Sequence, residues 1–188
     1  MAERIKPCGF TLIELMLALA ILALLLLLGL PSFTAFLRNS EIRSTAESMI
    51  NGLRTASAEA ANRNTNVTFE LAGDGGADWK FWYRDDDDKE VVVQSYSKKE
   101  AGPNTKITVF PIGQTRVAFN GLGRVANQGM ANDHLQQVDI DSLVSGEARP
   151  LRIIVDDPDA DPAKRRGLRM CDPDPALAAL VPPDPRAC

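Results

Sequence analysis

Gly9-Phe10-Thr11-Leu12-Ile13-Glu14 opens a segment that continues through residues 15–30 without a single charge. From Phe10 to Leu30 there are twenty-one residues, and Glu14 is the one charge among them. At 1.5 Å per residue a helix of that length spans about 30 Å, the thickness of a bilayer's hydrocarbon core. An acid inside such a segment is costly and calls for a partner or a function. A secretory signal peptide would place small residues in an A-x-A pattern after the apolar run. Leu30-Pro31-Ser32-Phe33 has no such pattern. A plain membrane anchor accounts for the hydrophobicity but leaves Glu14 unexplained.

Working outward, residues 1–9 form a short leader with Arg4 and Lys6 against Glu3. Positive residues before an apolar helix fit an amino terminus kept in the cytoplasm. At these positions the chain resembles the type IV pilin and pseudopilin superfamily, in the order leader, Gly9, Phe10, Glu14, apolar helix and Pro31. The resemblance implies that a prepilin peptidase cuts between Gly9 and Phe10 and methylates the new Phe10 amine. It also implies that Glu14 pairs with the amino-terminal amine of a neighbouring subunit in a filament. A carboxylate and an ammonium in an apolar bundle are tolerable as a pair and expensive alone.

The chain of 188 residues leaves room for one domain besides the anchor. Removing the leader, net +1, takes the formal charge from −4 to −5. So mild an excess excludes no partner, because binding depends on local patches. Of three cysteines, Cys8 falls in the leader and leaves Cys171 and Cys188 in the mature chain. An even pair in an exported domain points to a disulfide, with two free buried thiols as the alternative.

Pro31 predicts a kink at the end of the apolar run. Beyond it Ile42, Ala46, Met49, Leu53, Ala56 and Ala60 recur at steps of three and four, one face of an amphipathic helix. Arg43, Glu47, Arg54 and Glu59 lie opposite, and Gly52 weakens the helix only slightly. The polar cluster at residues 62–66 ends it. Four segments follow: leader 1–9, transmembrane or filament-core helix 10–30, amphipathic continuation 31–64, and a β-rich head 65–188. Alternation or β-branched composition predicts strands at 66–71, 79–84, 91–96, 106–112, 116–120, 135–140, 151–155 and 168–171. One long helix followed by that many strands predicts an α+β fold, the helix packed on a sandwich-like head.

The long helix, the strand-rich head and the ending Gly167-Leu168-Arg169-Met170-Cys171-Asp172-Pro173 with Asp184-Pro185-Arg186-Ala187-Cys188 resemble the GspH/FimT-type minor pilins and pseudopilins. The tail between the two cysteines is broken by Pro173, Pro175, Pro182, Pro183 and Pro185, with room for one turn at residues 176–180 entered through Asp174 and Pro175. A bridge across it stabilises by about 3 kcal/mol in the chain-entropy model.

Enzymatic motifs are missing: no HExxH, nucleophile elbow or phosphate loop occurs, and the expectation is a protein that is not an enzyme and has no cofactor. His134, between polar neighbours, reads as a surface loop residue. The acidic runs 85–88 and 156–161 lack the twelve-residue calcium-loop pattern and read as solvated turns. Lys164, Arg165, Arg166, Arg169 and Arg186 form a candidate phosphate-binding group for DNA. Residues 149–188 nevertheless hold seven basic residues and seven aspartates, so the aspartates balance that charge. The resemblance implies a minor subunit of a type IV pilus-like filament, with other major and minor pilins and the inner membrane as partners. A DNA-binding subunit for uptake, or a type II secretion pseudopilin touching cargo, are the alternatives.

Overall fold

The computed structural model describes residues 10–72, 76–97, 104–126, 134–144, 148–155, 167–180 and 184–188. The leader with Gly9, the basic triplet Lys164, Arg165 and Arg166, and the acidic run 156–161 lie outside them. The chain forms two units, Met1–Leu37 and Arg38–Cys188.

Helix α1 (Leu12–Arg63) passes through both. In the first unit its large apolar side chains are exposed, among them Leu12, Leu19, Leu27, Phe33 and Phe36, as is Phe10 just before it. No single helix among the described residues is long and apolar enough to cross a membrane; Leu12–Leu27 and Ser32–Arg63 meet that test together as a bent pair. The break between them brackets Pro31, whose side chain lies outside the described atoms.

In the second unit α1 is amphipathic in the predicted register. Ile42, Ala46, Met49, Leu53, Ala56 and Ala60 are all buried, joined by Ile50. The helix stops at Arg63 through a left-handed residue, Asn64, at φ 51°. Asn64 N donates to Ala61 O and Thr65 N to Ala60 O, the paired bonds that satisfy the last carbonyls of a helix. Asparagine tolerates that conformation because its short side chain bonds locally.

Eight strands follow: β1 (Val67–Leu71), β2 (Trp79–Arg84), β3 (Glu90–Tyr96), β4 (Thr105–Phe110), β5 (Arg116–Phe119), β6 (Gln137–Ser142), β7 (Leu151–Ile154) and β8 (Arg169–Cys171). They make two antiparallel sheets, ordered β3-β2-β1-β5 and β4-β6-β7-β8. One apolar core joins the helical stripe to Val67, Phe69, Phe81 and Val117 of the first sheet and Ile107, Val138, Ile140 and Ile153 of the second. The α+β class and the helix packed on a strand-rich head are thus observed.

Three readings need correction. The strand expected at 106–112 ends at Phe110, because Pro111 has no N–H to donate; Gln114 N then closes a turn on Pro111 O, with Gly113 at φ 83°. The strand expected from Leu135 begins at Gln137, since Leu135 N and Gln136 N bond instead to Arg116 O and Phe110 O. His134 is buried, at 7 % exposure, so its polar neighbours in sequence do not place it on the surface.

Gly52 does more than weaken a helix. A Cβ there would lie 2.8 Å from Cη2 of Trp79, so the missing side chain lets the indole rest on the α1 backbone. Trp79 also stacks with Phe69, Phe81 and Tyr96, at ring separations of 5.5, 6.3 and 5.6 Å. This aromatic group clamps helix to sheet.

Candidate assembly site

At the start of α1, Thr11 Oγ1 accepts a hydrogen bond from Glu14 N at 3.3 Å, and Leu15 N donates to Thr11 O at 3.1 Å. Thr11 is therefore the N-cap, and Thr11-Leu12-Ile13-Glu14 has the T-x-x-E spacing of a capping box. Glu14 sits at the third helical position, where the helix dipole favours an anion. The T-x-x-E spacing of residues 11–14 is the sequence signal that marks this cap. The carboxylate stands four residues beyond Phe10, whose side chain is exposed. A single acid near the amino end of a bare apolar helix is available to a cation brought by another chain.

At the other end of the chain Cys171 and Cys188 form a disulfide, with Cα atoms 5.1 Å apart. Cys171 closes β8; the tail returns beside it, with Asp172 bridging to Ala187 in parallel. Asp172 N donates to Arg186 O and Cys188 N to Asp172 O. The predicted turn is present as α2 (Pro175–Ala178), N-capped by Asp174, whose carboxylate accepts from Ala176 N at 2.9 Å.

The candidate phosphate-binding residues are only partly placed. Arg186 is held by Asp184, at 3.0 Å from Nε and 2.7 Å from Nη2. That bond, with a second from Arg186 N, lowers the Asp184 pKa to about 2. The same contact raises the pKa of Arg186, so its charge is matched within the tail. Arg169 lies in β8 and has a partner of its own. Lys164, Arg165 and Arg166 fall outside the described residues, so the five cations are not shown to converge.

The acidic run 85–88 forms the β2–β3 turn. Asp85 Oδ1 accepts from Asp87 N and Lys89 N at 3.0 and 2.9 Å, so backbone already uses that oxygen. Asp88 takes a left-handed conformation and pairs with Arg84 at 3.0 Å. A denser ion group lies on the first sheet. Burial pushes Glu70 up, but Arg116 at 2.6 Å, the Trp82 indole N–H and Lys80 outweigh it and leave its pKa lowered. These residues stand on adjacent strands, Glu70 opposite both Lys80 and Arg116, and they tie the sheet together.

The family model described as "Type II transport protein GspH" matches residues 45–158. The model of the prokaryotic N-terminal methylation motif matches residues 5–30. No curated protein matches the chain. Among solved structures, the type IV minor pilin FimU of Pseudomonas aeruginosa superposes with a TM-score of 0.48 at 11 % identity, covering 64 % of this chain and 85 % of that one.

Proposed function

We propose that this chain, which belongs to the GspH family of type II transport proteins, is a minor subunit of a type IV pilin-like filament whose work is assembly rather than catalysis. A prepilin peptidase removes residues 1–9 and methylates Phe10, acting on the motif matched at residues 5–30. The apolar half of α1 then holds the subunit in the bacterial inner membrane, head in the periplasm, until it enters the filament. One observation carries this reading: among the described residues from Phe10 to Leu37, seventeen large apolar side chains are exposed. Such a surface needs lipid or other apolar helices around it.

Glu14 is the residue through which this reading is tested. In the filament its carboxylate pairs with the amine of a neighbour's Phe10, while the Thr11 cap uses the backbone N–H of Glu14 and not its carboxylate. Glu14→Gln therefore keeps the capping box and removes the charge. Membrane insertion should persist and filament incorporation should fall, read by quantifying the subunit in sheared filaments. Incorporation of Glu14→Gln at the wild-type level would remove the pairing mechanism.

The family's description favours a secretion pseudopilus over a DNA-uptake pilus. The DNA reading rests on Lys164, Arg165 and Arg166, since Arg186 is matched by Asp184.

A further inference from the structure

Strand alternation sends Val67, Phe69 and Leu71 of β1 into the core and leaves Thr68 and Glu70 on the outer face of the first sheet. Thr68 stands opposite Trp82 of β2 on one side and Ala118 of β5 on the other. Trp82 thus belongs to the outer face as well. Its indole N–H donates to Glu70 at 3.4 Å, and the Arg84 guanidinium lies 5.7 Å from its ring centroid. Thr68 and Ala118 are short, and beside the large indole they leave a cleft. Its volume is 380 Å³, within the range of about 300–1,000 Å³ common to small-molecule sites. Thr65, Asn66, Thr68, Trp82, Arg84 and Ala118 line it.

The polar groups of this cleft are mostly neutral and unused. Among the described residues the Thr65 and Thr68 hydroxyls and the Asn66 carboxamide have no hydrogen-bond partner. Each of these groups can both donate and accept. Arg84 is the one charged residue in the lining, and Asp88 at 3.0 Å and Glu90 at 3.8 Å already match it. A phosphate or carboxylate would therefore have to compete with those acids for its cation. An apolar side chain seated in the cleft would take three polar side chains out of water without giving them partners. A saccharide meets both conditions. Its hydroxyls donate and accept, and the C–H bonds on a sugar ring's face carry the partial positive charge that an aromatic π-system attracts.

We infer that this cleft binds a short neutral saccharide. Thr65, Asn66 and Thr68 hydrogen-bond its hydroxyls, and Trp82 is the aromatic wall against its ring. All six lining residues lie in the unit Arg38–Cys188, and the inference does not depend on the assembly reading above.

The full chain in phospholipid nanodiscs tests it, free of detergents whose sugar headgroups would compete. Maltotriose, cellotriose and chitotriose are the probes, each up to about 10 mM, with N-acetyltyrosinamide standing for a protein side chain. Saturation-transfer NMR should show transfer to at least one of the sugars. Asn66→Ala removes an exposed side chain and should raise the Kd for that sugar about three- to tenfold, the loss of one hydrogen bond. Ala118→Leu fills the cleft and should abolish transfer while the unfolding midpoint stays near wild type. No transfer to any of the three sugars overturns the inference. Transfer at the wild-type level in both variants places the sugar elsewhere and overturns it too. Transfer to N-acetyltyrosinamide and to none of the sugars means that the cleft takes a protein side chain, which also overturns it.

Discussion

The two parts of α1 have the same backbone and opposite surroundings. Before Leu37 its large apolar side chains are exposed, on every side of the helix. After Arg38 a stripe of Ile42, Ala46, Met49, Leu53, Ala56 and Ala60 is buried, and ion pairs such as Arg43–Glu47 lie on the surface. The second part takes its stability from a core supplied by its own chain. Among the described residues the first has no such core. Changes in the two parts should therefore be felt in different experiments.

Both tryptophans lie in β2, so their fluorescence reports unfolding of the head. Phe69→Ala removes a fully buried ring from the core and should cost about 3–5 kcal/mol in denaturant unfolding. Leu22→Ala, in the exposed part of α1, should leave that transition unmoved. Equal effects would erase the distinction between the two parts.

Cys188→Ser should cost up to about 3 kcal/mol, chiefly by freeing the tail in the unfolded chain. Hydrogen exchange should rise first at Asp172 and Cys188, whose N–H groups bond across the tail. Unchanged exchange there would mean that hydrogen bonds alone hold the tail.

Gly52→Ala sharpens the comparison within the helix. In an exposed helix the change gains about 1 kcal/mol. Against Trp79 the new methyl meets ring carbons at 2.8–3.0 Å, and overpacking costs about 1–3 kcal/mol. A net loss of about 1–2 kcal/mol is expected from the two opposing effects. Gly29→Ala meets nothing within 4 Å and should not move the head's unfolding. A stabilised Gly52→Ala would show that the indole gives way.

The smallest effect is electrostatic. Asp184 titrates at about 2 in the folded chain against an ordinary 3.8, so its contribution is complete above about pH 4 and is lost as pH falls through 2. Carboxyl chemical shifts followed by NMR from pH 5 to about 1.5 should give that midpoint. A midpoint at the ordinary value would mean that the Arg186 contact does not persist in solution.

Much of this was legible from pattern. The stripe on α1 follows from its spacing, because a helix turns once every 3.6 residues and the apolar positions must then share a face. β2 is bounded as its aromatic run suggested, and β1 as its alternation did to within a residue. The disulfide followed from two cysteines in an exported domain, and the tail turn from Asp174 and Pro175. The family resemblance read from the leader, Phe10, Glu14 and the carboxy-terminal motif agrees with the matched models. The basic group was legible as composition only. Asp184 holds Arg186 two residues away through three hydrogen bonds, a geometry that composition does not specify.

What the sequence by itself determined was local: where the chain is apolar on all sides, where on one face, where alternating, and where proline or asparagine stops an element. Each of these depends on residues within a few positions of one another. Tertiary structure decided what depends on distant neighbours. His134 is buried despite its polar flanks, Gly52 makes room for a ring twenty-seven residues away, and Asn39 reaches Arg149. Burial and close approach depend on which surfaces meet, and a list of residues does not contain that until the chain has folded.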